Sequence, residues 1–340
     1  MRLHEYKQPL KLDEVDVPKP GPKDALIKIQ ACGVCHTDIH FVEGNLTTEK
    51  FGGKRPWTLG HEIAGKVVEV GSEVAEFKVG DSVVVDSWTA YSCGSCMMCR
   101  TGFENCCVHV SPLGFARDGG YAEYLAVPAR SLIRTGNLKP EDVATLPCCG
   151  VTSFRALRKA RVTPSDIVVV YGAGGTGTFA TQIAKAMGAS VIAISRSEEK
   201  LEMAKRFGAD YVVDGKKDPV NNVLKITGEN GANVVLDFVG FEQTLENGLK
   251  MLRTLGRLIV IGVGPGPLKC LPDDAVNYEL TISGVKVGTH KDLIDLVMLA
   301  KKGIVKSITT KTFKLDEANE ALEQLRRGQI LGRSVIKPSK

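Results

Sequence analysis

The stretch Ile167-Val168-Val169-Val170-Tyr171-Gly172-Ala173-Gly174-Gly175-Thr176-Gly177 decides the fold. An apolar, β-branched run over residues 166–171 leads directly into G-x-G-x-x-G, and a helical segment over 178–187 follows, ended by Gly188. Gly-rich turns are common, and alone the motif would mean only a strand–helix turn. Its position after a strand, opening a helix at the start of a βαβ unit, points to dinucleotide binding. The glycines let the backbone approach a pyrophosphate. The helix N-terminus offers unpaired N–H groups and partial positive charge.

Downstream, the spacing predicts strands over 190–194, 211–213, 232–238, 257–261 and 280–287. Helices are predicted over 198–207, 219–227 and 245–255, the second with Asp218 as N-cap and Pro219 at its first position. Strands alternating with short helices make a doubly wound parallel sheet of six strands, an α/β architecture. Upstream the texture differs: short strands over 25–30, 63–70, 82–85 and 121–127, with weak amphipathic helical signal. The last fifty or so residues read as helix 291–302, strand 308–313, helix 315–327 and strand 332–336. Neither internal repeats nor low-complexity segments occur.

The end of the second strand of the sheet bears on coenzyme choice. Folds of this type that take NAD usually place a carboxylate about twenty residues after the first glycine, on the adenine ribose. Here the chain reads Ile194-Ser195-Arg196-Ser197. An Arg between two hydroxyls can bind a 2′-phosphate by charge-assisted hydrogen bonds, where a carboxylate would repel it. The residues therefore favour NADP(H) over NAD(H).

The 340 residues carry a net charge of +5, with no basic tract of the kind that marks a nucleic-acid or membrane-surface binder. No apolar run approaches the ~20 residues of a membrane span, and Met1-Arg2-Leu3-His4-Glu5 lacks the apolar core of a signal peptide. A cytoplasmic enzyme is expected. Of ten cysteines, only Cys270 lies beyond residue 150. Thiols concentrated in one half of a long chain suggest ligands rather than disulfides. Cys93-x2-Cys96-x2-Cys99-x7-Cys107 suits a closed, all-thiolate structural zinc site, with an iron–sulfur cluster as the competing reading. Cys106 could stand in for Cys107, because adjacent residues cannot both ligate easily.

Several further motifs, in order along the chain, carry a resemblance. Gly33-Val34-Cys35-His36-Thr37-Asp38-Ile39-His40 comes first, then Gly60-His61-Glu62-Ile63-Ala64-Gly65 running on to Gly71 and Val74. The four-cysteine segment, Cys148-Cys149-Gly150-Val151-Thr152 and Gly332-Arg333-Ser334-Val335 complete the set. Together they resemble the zinc-containing alcohol dehydrogenases of the medium-chain dehydrogenase/reductase family, from about residue 30 to 335. The resemblance implies a GroES-like, β-rich catalytic domain over 1–153 with a zinc lobe at about 90–110. It further implies a Rossmann coenzyme domain over 154–288 and a return to the catalytic domain over 289–340.

Position by position, it implies that Cys35, His61 and Cys148 hold a catalytic zinc, which spacing alone would not reveal. Cys149 competes with Cys148, although the four-residue step to Thr152 favours Cys148. Glu62 corresponds to a carboxylate beside the metal, and Asp38 to the group that orients His61. Thr37 and His40 correspond to the inner and outer ends of a proton relay. The implied coenzyme set is His36, Thr152, Gly172, Gly174, Gly175, Thr176, Gly177, Ser195, Arg196, Ser197, Val263 and Arg333. Trp57, Trp88 and Phe115 are candidates for a substrate pocket, or ordinary core aromatics.

The expected activity is reversible hydride transfer between a primary or secondary alcohol and NAD(P), with two zinc ions per subunit. A polyol- or threonine-type zinc dehydrogenase shares that chemistry and is the alternative. A zinc-free quinone or enone reductase of the superfamily should lack Cys35, His61 and Cys148. A zinc-ribbon module for nucleic acid or protein would leave the dinucleotide motif unexplained. Small-molecule substrates are expected, without nucleic-acid or membrane partners. An exposed final strand at 280–287 favours pairing into a homodimer or homotetramer, as the resemblance also implies.

Overall fold

The apolar run before the glycines forms the strand Ile167–Tyr171, and its Val168, Val169 and Val170 are wholly buried in a computed structural model that describes residues 1–338. Around it the chain divides into two units: Met1–Val151 together with the chain from Val287 onward, and Thr152–Lys286. Each junction lies two residues earlier than the sequence suggests.

The inserted unit is a six-stranded sheet. Its order is Tyr211–Asp214, Ser190–Ser195, Ile167–Tyr171, Ala232–Asp237, Leu252–Val260, Thr281–Gly284, with every pair parallel. The order reverses beside Ile167–Tyr171, which leaves the glycine loop at the topological switch point where such sheets bind ligands. Val169, Ile192, Val235 and Leu258 are fully buried, as continuous apolar strands covered on both faces require. Gly175–Ala186, Glu198–Arg206, Pro219–Ile226 and Glu242–Lys250 supply helices between strands. Asp218 caps the third of these, its carboxylate accepting the Asn221 N–H at 3.3 Å.

The predicted helix 245–255 is a correction. It ends at Lys250, and Leu252 already pairs with Ala232 in the sheet. Helical periodicity there loses to strand pairing, and Leu255 turns the chain at φ 64. Helices Val151–Lys159 and Pro272–Asn277 were not foreseen.

The other unit is built on a largely antiparallel sheet in the order Thr309–Lys314, Arg333–Lys337, Asp24–Gly33, Glu62–Val70, Ser82–Val85, Leu132–Arg134, with Tyr124–Pro128 also paired to Asp24–Gly33. Only Thr309–Lys314 and Arg333–Lys337 run parallel. Irregularities between Leu26 and Ile27 and between Ile29 and Ala31 bend the long central strand. Ile27, Ile29, Ile63, Val85, Val127 and Ile336 fill its core. The sheet thus joins residues from both ends of the chain and carries the strand ends Gly33 and Glu62 beside each other.

Candidate metal and coenzyme sites

Four side chains converge at the ends of two neighbouring interior strands of the antiparallel sheet, Asp24–Gly33 and Glu62–Val70. The ligand atoms of Cys35, His61, Glu62 and Cys148 all lie within 4.8 Å of one another, and the first three side chains are buried. Local sequence explains each position. Cys35 leaves the strand Asp24–Gly33 in extended conformation and is the N-cap of helix His36–Val42. Its N–H is taken by Asp38 Oδ2 at 3.0 Å, one half of a capping box. His61 follows Gly60, whose φ of +89° suits glycine, and leads into Glu62–Val70. Cys148 lies in a π-helical turn, Leu146–Gly150, of the kind found at functional sites.

The donor set fits zinc. Two thiols face an imidazole whose Nε2 is buried without a hydrogen-bond partner, a three-ligand arrangement that leaves a position for substrate. The Cys148 thiol shares its proton with Cys35, holding Cys35 well below and itself well above the ordinary thiol range. Burial would lower the pKa of His61, but Asp38 and the Cys35 sulfur reverse that and raise it well above the usual imidazole value. A divalent cation is the charge this cluster is suited to receive. Cys149 points elsewhere, its Sγ 3.1 Å from the Thr145 carbonyl, so Cys148 is the ligand-side thiol.

Around the cluster, Asp38 Oδ1 lies 3.3 Å from His61 Nδ1. Thr37 Oγ1 is 3.6 Å from Cys35 Sγ, and His40, one turn on along the same helix, has its Nδ1 buried without a partner. His36 is exposed at the start of that helix. Glu62 accepts a short hydrogen bond from the Arg333 guanidinium, deep in the same unit. Burial pushes the Glu62 carboxyl up to about 7, with Arg333 pulling against it. Gly33 is required here, since a Cβ would fall 2.0 Å from Glu62 Oε2. Arg333 is therefore buried beside the metal-ligand cluster, a setting the expected coenzyme contact did not suggest.

The second cluster is Cys93, Cys96, Cys99 and Cys107. Sulfur–sulfur distances of 3.6–3.9 Å match the ~3.8 Å edge of a tetrahedron with ~2.3 Å zinc–sulfur bonds. Backbone N–H groups of Cys96 and His109 point at Cys93 and Cys107 sulfurs, 3.3 and 3.4 Å away. The Cys96 N–H and the Ser95 hydroxyl bring Cys93 down to about 5. Cys106 is exposed and outside the cluster, so Cys107 is the fourth donor.

A contact that motif reading missed anchors this lobe. Glu104 Oε1 accepts the His290 N–H at 2.6 Å, and Asp86 Oδ2 meets His290 Nδ1 at 3.0 Å. The helix His290–Lys301, capped by a Thr289–Asp292 capping box, packs on the turn that bears Cys148, with Leu296 Cδ2 only 2.9 Å from where a Cβ on Gly150 would lie.

In the parallel-sheet unit, Gly172 turns at φ +98° and Gly174 is the N-cap of the twelve-residue helix Gly175–Ala186. A Cβ on Gly177 would sit 2.3 Å from the Gly172 carbonyl, whereas one on Gly174 would meet nothing within 4 Å. Gly177 serves the loop's own packing, and Gly174 faces open space, as close phosphate approach requires. Thr176 receives a hydrogen bond from Ser153 on its carbonyl at 2.8 Å. Ser195 ends its strand, Arg196 is exposed, and Ser197 begins the next helix. Asp214 sits in register with Ser195 on the neighbouring strand, a carboxylate that motif spacing did not find, and pairs with Lys217 at 3.7 Å. Val263 is 86% exposed on the loop after Leu252–Val260, and Thr152 is the second residue of helix Val151–Lys159.

Trp57, Trp88 and Phe115 belong to the core. They are buried in an edge-on aromatic cluster with Phe41 and Phe51, with Phe41–Phe115 at 5.1 Å and Trp88–Phe115 at 5.3 Å. Both indoles donate to backbone carbonyls, of Gly114 and Asn105. Phe115 reaches the metal-ligand cluster, its ring 5.1 Å from that of His61.

Residues 21–137 match the alcohol dehydrogenase GroES-like domain family, and residues 175–302 the zinc-binding dehydrogenase family. The chain is 43% identical to an NAD-dependent alcohol dehydrogenase of Sulfurisphaera tokodaii, over 99% of each. It is 35% identical to a D-arabinose 1-dehydrogenase (NADP(+)) of Saccharolobus solfataricus, over 99% of this chain and 96% of that one. The crystal structure of an alcohol dehydrogenase from Aeropyrum pernix superposes with a TM-score of 0.92 at 39% identity, covering 99% of each chain.

Proposed function

The chain belongs to the zinc-containing alcohol dehydrogenases of the medium-chain dehydrogenase/reductase family, and on that premise we propose that Cys35, His61 and Cys148 hold its catalytic zinc. The observation that carries this is the convergence of one ring nitrogen of the buried His61 and the Cys35 and Cys148 thiols to within 4.8 Å of one another. Zinc bound there supplies Lewis-acid polarisation of an alcohol or carbonyl oxygen. Asp38 keeps the proton of His61 on Nδ1, so that Nε2 offers its lone pair. Thr37 Oγ1 would accept the substrate hydroxyl proton as its own proton passes on, and His40 would carry the relay outward, an imidazole being suited to that near neutral pH. Glu62, held by Arg333, keeps a carboxylate beside the ligands. Cys93, Cys96, Cys99 and Cys107 hold a second, structural zinc.

The coenzyme follows from the strand end. Arg196, exposed between Ser195 and Ser197, supports NADP(H), as does the NADP-linked D-arabinose relative. The names of closer relatives, and Asp214 on the adjacent strand, favour NAD(H) as the second reading. His36, Thr152, Gly172, Gly174, Gly175, Thr176, Gly177 and Val263 complete the proposed coenzyme set. Arg333 remains in it only through its place beside Glu62.

Substrates are primary or secondary alcohols, with polyols and aldoses the second class, favoured by the D-arabinose relative. Assaying an alcohol, polyol and aldose panel with NAD and NADP, before and after metal stripping, tests all of this. Turnover that survives loss of the Cys35–His61–Cys148 ion, with the four-cysteine ion retained, would overturn it. Six cysteines gathered in two metal-ligand clusters support a reducing compartment, and the cytoplasm is our assignment. The outer strand Thr281–Gly284, with Leu255, Leu271, Val276 and Tyr278 exposed nearby in sequence, supports a homodimer or homotetramer.

A further inference from the structure

Tyr121 is among the largest fully buried side chains of the chain, and its hydroxyl is aimed at a single carboxylate. The phenol donates to Asp38 Oδ2 at 2.9 Å. That same oxygen accepts the Cys35 N–H at 3.0 Å, while Oδ1 faces His61 Nδ1 at 3.3 Å. Two donors on one oxygen fix the carboxylate plane and leave the other oxygen turned to the imidazole. A buried carboxylate that lost one of these donors would be free to rotate toward other partners.

The backbone of the same segment braces His61 from a second direction. Gly119, Gly120 and Tyr121 donate N–H bonds to the carbonyls of Thr58, Gly60 and Leu59 at 2.7–2.9 Å. The Tyr121 ring lies against Gly60, where a Cβ would fall 2.5 Å from its Cδ1. Ring and hydroxyl thus reach the residue before His61 and the group that orients its ring.

We propose that Tyr121 is a positioning residue for the metal ligand His61, acting through Asp38. The proposal rests on the assignment of zinc to Cys35, His61 and Cys148. The ring fills space, and phenylalanine would fill it as well. The hydroxyl holds the Asp38 carboxylate, which fixes the imidazole tautomer and orientation on which metal affinity depends.

The test uses the zinc-loaded full chain with Tyr121→Phe, Asp38→Asn and both together. Each is challenged with a chelator, and a Cys148→Ser chain that keeps only the four-cysteine ion identifies which zinc leaves. Tyr121→Phe is expected to release the Cys35–His61–Cys148 ion about tenfold faster or more, with release from the four-cysteine site unchanged. The double variant is expected to release it no faster than Asp38→Asn alone. Unchanged release with only a lower Tm would make Tyr121 a packing residue and overturn the proposal. Losses that multiply in the double variant would show it acting apart from Asp38 and overturn it too. If Asp38→Asn does not fold, Tyr121→Phe decides alone. A wild-type chain that binds only the four-cysteine ion would overturn the zinc assignment itself, and this proposal with it.

Discussion

Arg333 and Glu62 form an ion pair behind the Cys35–His61–Cys148 cluster, their side chains 6% and 0% exposed. The two residues lie 271 positions apart in the chain. A buried charge stripped of its partner is far more damaging than the pair is stabilising.

Arg333→Met is therefore expected to destabilise the protein by about 3–5 kcal/mol, read as a Tm lower by on the order of 10 °C. Arg333→Met with Glu62→Gln should recover much of that loss, since no lone charge is then buried. Thermal melts of the three chains decide; equal melting points for wild type and Arg333→Met would contradict the pairing as described.

Two adjacent cysteine pairs give a direct reading of metal content. Cys107→Ser should leave one zinc per chain, and Cys106→Ser two. Cys148→Ser should lower kcat/KM by at least about a hundredfold, while Cys149→Ser, whose Sγ turns to the Thr145 carbonyl and away from the ligand cluster, should keep most of it. Elemental analysis beside the assay distinguishes the four variants.

The glycine loop separates folding from binding. Gly174→Ala should leave Tm within a degree or two, because its Cβ meets nothing within 4 Å. It should still raise the coenzyme Kd on the order of tenfold, by blocking close approach of the pyrophosphate. Gly177→Ala should lower Tm, since its Cβ would collide with the Gly172 carbonyl at 2.3 Å. Coenzyme titration and melting of both variants measure the two effects.

Arg196→Ala removes the cation proposed for the 2′-phosphate. Losing a charge-assisted hydrogen bond of about 1.5–3 kcal/mol corresponds to roughly 10–150-fold in kcat/KM with NADP, and NAD should change little. An equal effect on both coenzymes would remove Arg196 from that role.

The parallel-sheet unit was legible because its signals are local. Strand, glycine turn and helix follow within about twenty residues, and 190–194, 198–207 and 219–227 appear as elements within one or two positions of their predicted ends. The same locality misled at 252–255, where partner strands decide and periodicity does not. The four-cysteine site was readable from spacing; the other metal cluster was not. It takes donors from a strand end, a strand start and a π-helical turn that only the folded sheet brings together, and family resemblance supplied what spacing lacked. Glu104–His290 and Tyr121–Asp38 lie 186 and 83 positions apart and carry no motif at all. For Trp57 and Trp88 the sequence leaves pocket and core equally open, because it cannot tell an aromatic core from an aromatic wall.

The central strand Asp24–Gly33 lies between Glu62–Val70 and Arg333–Lys337, so one sheet spans early and late segments of the chain. Synthesis runs in one direction, and this imposes a timetable. The four thiols from Cys93 to Cys107 leave the ribosome early and can capture their ion at once. The carboxylate of Glu62 must wait for Arg333, hundreds of residues later, before its burial is compensated. Ribosome-stalled chains ending short of Arg333 should accordingly carry one zinc and not two, and acquisition of the second ion should mark completion of the chain.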